Sequence, residues 1–471
     1  MDEKRIKILR DEAPLKAIWS LSVPTILAMW VQVFYNLTDT FFVGRLNDPF
    51  KVAAVSVAFP IYMFLMAFSG IFGFGAASYI SRLLGEKNYS MAKKTSSTAF
   101  YTCIVAAIFI TIVSLIFISP ILTLIGVTPE THKYAYEYLS VIFSGSLIIM
   151  TNFMFTQLLR SEGAAKVSMF GMFIGTGLNI ILDPIFIITL GYGVKGAAIA
   201  TLIGQVVASL YYIFGFYSRK KSLVSLNWKY FSPGKGIYQE ILRVGVPASI
   251  HNLMISLAQT MGNFVAAGYS DLIVAGYGVV QRIFSMCIMT LIGLSDGTQP
   301  LIGYSYGARN IKRLYNVIKT AVIIATGISV FFVVFFYFVS GKMIQIFINN
   351  EQVIYYGTQI MRAMMISLPF AGIQFLIRVS FQALGKGKPA LILALVRQGI
   401  FYAPTLFILN KYFGFAGFIY AQPIANAFSL MLAIILFIGI REQISNEHLK
   451  VENEETATQL SKLDESFQKC P

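Results

Sequence analysis

LLGEKN, residues 83–88, returns as SYGARN at residues 305–310, an offset of 222. Three further pairs keep nearly the same spacing. SVPTI at Ser22 faces GVPAS at Gly245, which sets Pro24 against Pro247. SEGAAK at Ser161 faces ALGKGK at Ala383, and GVKGAAIA at Gly193 faces GFAGFIYA at Gly414. Chance similarity would not preserve order and spacing together, so the chain consists of two related halves.

The material between these motifs is apolar. Of 471 residues, 56% are hydrophobic and 13% charged, and the mean hydropathy is +0.69. That is about half the charge of an average soluble domain. Twelve runs reach the roughly 18–20 residues that cross a bilayer as a helix. They lie near 16–44, 52–80, 96–119, 134–158, 167–190, 195–217, 238–267, 272–300, 315–340, 353–381, 389–410 and 414–440. The ten-residue alternation of a membrane barrel is missing. The fold class is therefore an all-α polytopic membrane protein, with twelve transmembrane helices in two six-helix repeats. Six is even, so both repeats enter the membrane from the same side and are parallel. The expected division is an N-lobe at 1–217, a cytoplasmic linker at 218–237, a C-lobe at 238–440 and a polar, frayed cytoplasmic tail at 441–471. The first run is too long for a signal peptide and has no small-residue cleavage site.

The net charge of +15 is explained by position. With the N-terminus placed in the cytoplasm, 27 of the 37 Lys and Arg residues fall on the cytoplasmic side and six on the other. The remaining four, Arg282, Arg362, Arg378 and Arg397, lie inside spans. This bias orients both termini toward the cytoplasm of a cell membrane and requires no nucleic-acid partner. Cys103 and Cys287 sit in spans and Cys470 in the tail, so no disulfide framework arises. His132, His251 and His448 have no metal-binding spacing, and no nucleotide-binding GxxxxGK[ST] is present. The sequons at Asn36 and Asn88 fall in a span and a cytoplasmic loop and are chance matches. Gly171 and Gly175 form a GxxxG pair, a close-packing signal. Most of the 18 Met and 40 Phe residues are expected in the core or against lipid, some lining an adaptable pocket for flat apolar compounds.

The halves differ in their buried charges. VFYNLTDTFF, residues 33–42, puts Asp39 about five residues before the outer end of the first span. NIILDPIF puts Asp183 about seven residues before the end of the fifth. Their repeat counterparts are Gly262 and Pro404. Thr201 enters the sixth span to a similar depth. Asn179 is one helical turn below Asp183, and Tyr35 and Gln32 lie below Asp39. Pro184 removes a backbone donor and is expected to distort the helix there. Such an oxygen-rich cluster suits a monovalent cation, or a proton shared between two carboxylates. A lone acid could instead pair with an arginine or backbone amides, but the first half has no Lys or Arg within its spans. For the arginines, Arg378 is near enough to the cytoplasmic surface to snorkel. Bonding to carbonyls or to Asp296 competes with substrate contact for the rest, including Arg397, which lies at mid-depth beside Gln398.

The twelve spans, the two halves, and the strings SVPTI, DTFFVG, SRLLGEKN, LLRSEG, NIILDPIF and GVKGAAIATLIGQ resemble the multidrug and toxic compound extrusion (MATE) family. GVPASI, SYGARN, FQALGKGKP and VRQG agree in the second half, and the likeness covers about residues 14–440. It implies a secondary antiporter, not an enzyme, that exports organic and often cationic aromatic compounds in exchange for Na+ or H+. No cofactor is implied, and the family habit is a monomer. In branches with a first-half ion site, two aspartates, an asparagine and a threonine form it, here Asp39, Asp183, Asn179 and Thr201. Gln32, Tyr35 and Asn152 match neighbouring polar positions of the site or substrate cavity. Pro24 matches a proline associated with bending of the first span. Arg282, Arg397 and Gln398 would then line a cavity in the C-lobe. This chain lacks the acids that another branch carries in its seventh and tenth spans. Two rivals stand beside this assignment. A flippase of the same superfamily, moving a lipid-linked glycan, would favour a cationic central cavity. A membrane enzyme would need paired catalytic groups near an interface, and no such motif occurs.

Overall fold

The computed structural model describes residues 3–46, 48–217 and 222–468. Among them only helices and turns occur. A short helix, α1 (Glu3–Arg10), precedes the first lobe, which contains α2 (Pro14–Gly44), α3 (Pro49–Gly85), α4 (Tyr89–Ile116), α5 (Ile118–Leu124), α6 (Pro129–Ser144), α7 (Ser146–Ser161), α8 (Ala165–Pro184) and α9 (Gly193–Tyr212). The second lobe contains α10 (Lys235–Ala267), α11 (Asp271–Gly307), α12 (Ile311–Phe347), α13 (Glu351–Ile366), α14 (Leu368–Ala383), α15 (Gly387–Leu395) and α16 (Ala403–Gln468). Among the described residues, nine helical stretches are long and apolar enough to cross a membrane. Two further spans are bent pairs, α6–α7 at 56° and α13–α14 at 40°. The stretch Gly387–Asn446 is broken at Gly414 (φ 56°, ψ −136°), which folds it into two spans. These account for the twelve runs of the sequence. The tail expected to fray instead continues α16 to Gln468. No Gly or Pro interrupts residues 441–468, and Glu, Gln, Lys and Leu there favour helix.

Each repeated motif folds the same way in both halves. LLGEKN and SYGARN turn through a left-handed residue, Lys87 (φ 60°) and Arg309 (φ 54°). Asn88 and Asn310 then cap α4 and α12, their side chains accepting from the Met91 and Arg313 amides. Gly163 and Gly385 repeat at φ 78° and 73°, and Gly193 and Gly414 at φ 54° and 56°. The bends at Gly145 and Ser367 are related in the same way. GxxxG packs as read: a Cβ on Gly171 would enter the Tyr212 ring, and Gly175 lies against the Gly204 carbonyl.

The lobes meet at the end carrying most Lys and Arg. A Cβ on Gly85 would strike the Tyr304 carbonyl, and one on Gly307 the Arg82 carbonyl. These two contacts are exchanged by the repeat relation, so a pseudo-two-fold axis runs between them. Gly75 sits on the Ile241 carbonyl and Gly245 on the Ile71 carbonyl. Ser22 donates to the Leu294 carbonyl (3.1 Å), Trp30 to Thr290 (2.9 Å), and Arg82 pairs with Glu240 (2.5 Å). On α11 the stripe Gly297, Gly293 and Thr290 faces α2. One and two turns further from the basic end the same stripe reaches Met286 and Arg282, and Arg282 is exposed. The close contacts are thus concentrated between mid-membrane and the basic end.

A strap crosses that end. Leu9 of α1 is fully buried and Arg5 lies 3.6 Å from Glu162, in the turn between α7 and α8. Arg313 of α12 donates to the carbonyls of Ile8 (3.3 Å), Leu9 (3.1 Å) and Glu12 (2.8 Å). A cation at the carbonyl end of a helix is favoured by the unpaired C=O groups there.

Candidate coupling-ion site

The first lobe gathers its buried polar side chains on α2, α8 and α9. The i, i+4 spacing of Asn179 and Asp183 puts both on one face of α8, and the amide donates to the carboxylate at 3.1 Å. Thr201 on α9 faces the same point, 3.4 Å from the Asn179 amide nitrogen and 2.9 Å from the Tyr35 hydroxyl on α2. Asp39, one turn beyond Tyr35, is close enough to interact electrostatically with Asp183, Tyr62 and Tyr138. Asp39, Asn179, Asp183 and Thr201 are all buried. Immediately after Pro184 the helix widens into a π-helical turn, Ile185–Thr189, the distortion expected of that proline.

Three oxygens in this cluster have no hydrogen-bond partner: Asp39 Oδ1, Asp183 Oδ2 and Asn179 Oδ1. No ion pair to either aspartate is formed among the described residues. Buried acceptors without donors are strongly disfavoured, by several kcal/mol for a carboxylate. Such a donor set fits a proton or a hard monovalent cation, either of which neutralises it. Among the described residues no group of three or more His, Cys, Asp or Glu could hold a transition metal.

The other sequence candidates fall into place around it. Asn152 donates to the Gln205 carbonyl (3.1 Å) and Ser209 hydroxyl (3.0 Å), tying α7 to α9. Gln205 in turn hydrogen-bonds Tyr62, so Asn152 supports the cluster from one layer out. Gln32 is half-buried on α2, two turns from Asp39. The helix runs unbroken through Pro24. Tyr62, Tyr138 and Gln205 were not legible, because no spacing in one chain links α3, α6 and α9.

The second lobe holds no equivalent. Gly262 replaces Asp39, and the Tyr277 hydroxyl occupies the space a side chain would need, with the Tyr402 hydroxyl 3.2 Å away. Charge appears deeper instead. Arg397 and Gln398 are buried together in a π-helical turn, Val396–Tyr402. Arg282 is not part of this group, since its face of α11 points away from the lobe core. Arg378, expected to snorkel, is 7% exposed: it faces inward on α14, within electrostatic reach of Asp296. Asp296 is 4.0 Å from Arg160, which belongs to the first lobe. Arg362 is exposed, stacks on Tyr337 at 4.7 Å and donates to its carbonyl.

Two parallel six-helix lobes, closed on each other at one end and with a buried acidic cluster in one lobe, define a membrane transporter. A profile of the MatE family matches residues 24–185 and again 247–408, one match in each half. The multidrug export protein MepA of Staphylococcus haemolyticus is 32% identical over 448 residues, covering 94% of this chain and 98% of that protein. MepA of Staphylococcus aureus (strain NCTC 8325 / PS 47) is 33% identical over 448 residues, with the same coverage. Among solved structures, the outward-facing conformation of a multidrug resistance MATE family transporter of the MOP superfamily superposes with a TM-score of 0.88 at 32% identity, covering 94% of this chain and 98% of that one. The chain belongs to the MatE family.

Proposed function

We propose that this protein is a multidrug antiporter of the cell membrane. It exports organic, often cationic aromatic compounds in exchange for Na+ or H+, and Asp39, Asn179, Asp183 and Thr201 hold the coupling ion. One observation carries the assignment: two buried carboxylates within electrostatic reach of each other and a neighbouring amide leave three oxygens unpartnered, and among the described residues no basic side chain pairs with either acid. A reversible neutraliser must therefore come from solution. The relatives named as multidrug exporters support the cargo class, and the likeness to an outward-facing structure supports a cleft open on the side of Asp39.

Loading the pocket with an ion favours one packing of α2, α8 and α9, and loading with cargo favours another. The two ligands compete through that shared equilibrium. A potential of 100 mV contributes roughly 2.3 kcal/mol per charge, about fifty-fold in accumulation. The protein acts as a monomer with both termini in the cytoplasm, where its basic loops lie. The flippase alternative retains one supporting feature, the buried arginines of the second lobe.

The test is dye efflux from energised cells with sodium and pH varied independently. Wild type should export, and Asp39→Asn and Asp183→Asn should each lose at least tenfold in rate at normal expression. Dependence on sodium or on pH names the ion. Full efflux by both variants would remove the pocket from the mechanism.

A further inference from the structure

The second lobe carries buried positive charge without enough negative charge to match it. Arg397 is 4% exposed. Its Nε donates to Asn426 Oδ1 at 3.2 Å, its guanidinium lies 4.5 Å over the Phe375 ring, and its Nη1 has no partner. Arg378 is within electrostatic reach of Arg397, and its Nε is also without a partner. His251, 3% exposed on α10, interacts electrostatically with both arginines and has neither ring nitrogen bonded. The Asn426 oxygen is shared by Arg397 and Gln422, which leaves its buried Nδ2 as a further unbonded donor. On the same elements, Gln374 and Gln398 each leave an amide oxygen without a partner.

Among the described residues the single acid facing this cluster is Asp296, and it is already divided between Arg378 and Arg160. Arg397 has no carboxylate of its own. A buried guanidinium stays charged and does not discard its proton. Its charge therefore needs an anion that the described residues do not provide.

We propose that the cluster formed by His251, Arg378, Arg397 and Asn426 is an anion-binding site that takes one halide, carboxylate or phosphate group. The site lies at mid-depth on α10, α14, the Val396–Tyr402 turn and α16. The two lobes thus carry sites of opposite polarity: acceptors around Asp39 in one, donors around Arg397 in the other. The anion comes either from solution or from an acidic group on the exported compound. The site is independent of the coupling-ion assignment, so Asp39→Asn should leave it intact.

The experiment uses the purified full chain in detergent. Chloride, acetate or phosphate is titrated against methanesulfonate at constant ionic strength, and thermal unfolding is recorded. A saturable rise in Tm is expected for wild type, Asp39→Asn and the surface control Arg362→Gln, and none for Arg397→Gln. Should Arg397→Gln fail to fold, Asn426→Asp serves instead. It installs a carboxylate beside Arg397, and should raise Tm in methanesulfonate and abolish the anion response. A second arm compares efflux of a cationic dye with that of a zwitterionic, carboxylate-bearing dye. Selective loss of the carboxylated dye in Asn426→Asp, without an effect of free anions on Tm, identifies the cargo as the source. A free-anion effect with both dyes still exported identifies solution. No saturable anion effect together with equal export of both dyes by Asn426→Asp would overturn the proposal, as would an anion effect unchanged in Arg397→Gln and Asn426→Asp.

Discussion

Asp39 and Asp183 are expensive residues to keep in a bilayer, and a single amide hydrogen bond, from Asn179 to Asp183, offsets little of that cost. No donor reaches Asp39 Oδ1 or Asp183 Oδ2, while Asn179 and Thr201 hold the remaining groups in register. Removing a charge here should therefore not harm the fold. Asp183→Asn is expected to melt at the same temperature as wild type or higher in the absence of sodium at neutral pH, while transport is lost. A marked fall in Tm would mean that the carboxylate is a structural partner. Glu162 is a third buried acid, outside the membrane-spanning segments. It accepts from the Leu223 amide (2.6 Å) and Ser222 hydroxyl (3.0 Å) and faces Arg5 and Tyr217. Burial raises its pKa from 4.5 to about 7, against the opposing pull of Arg5 and those hydrogen bonds. A carboxyl with a raised folded pKa binds its proton more tightly in the native state. Its share of stability is therefore full below about 4.5 and declines as pH rises through about 7. Melting temperature should fall between pH 5 and pH 8, and Glu162→Gln should flatten that slope. Parallel slopes for the two proteins would contradict this.

At the level of elements, the turns repeat more faithfully than the helices. Lys87 and Arg309 adopt a left-handed conformation that costs a non-glycine residue about 1–2 kcal/mol. Lys87→Gly relieves that strain but adds backbone freedom to the unfolded chain. The net expectation is a gain of several tenths to about 1 kcal/mol, read from thermal unfolding. The glycines at the lobe interface work differently, since they allow one backbone to rest on another. Gly245→Ala forces a methyl into the Ile71 carbonyl. Overpacking of this kind costs about 1–3 kcal/mol, enough to reduce the closed-basic-end state by about fivefold to 150-fold. Spin labels at Tyr192 and Tyr412, both exposed at the opposite end, should report a shift toward shorter separations. Unchanged distances would show that the interface tolerates the methyl.

At the level of the whole molecule, the repeat motifs carried the architecture. Offsets of 221–223 predicted equivalent turns, and Gly163 with Gly385, and Gly193 with Gly414, take nearly equal positive φ values. The acid cluster was also legible, because Asn179 and Asp183 are one turn apart on a single helix and depth could be counted along each span. Its tyrosine surroundings were not, since Tyr62 and Tyr138 come from helices whose neighbours no spacing reveals. Arg378 misled for a related reason. Position along a span gives depth but not facing, and α14 turns that arginine inward. The partnership of Arg160 with Asp296 crosses the lobes, and nothing within either half announces it.

The central claim is that the first-lobe acid pair couples ion movement to export. The most direct measurement reconstitutes purified protein in liposomes and imposes a sodium gradient, then separately a proton gradient, with no other energy source. Wild type should accumulate a cationic dye under one of these gradients, and Asp39→Asn and Asp183→Asn should accumulate none beyond passive leak while retaining the wild-type melting temperature. Gradient-driven accumulation by either variant at the wild-type rate would contradict the account.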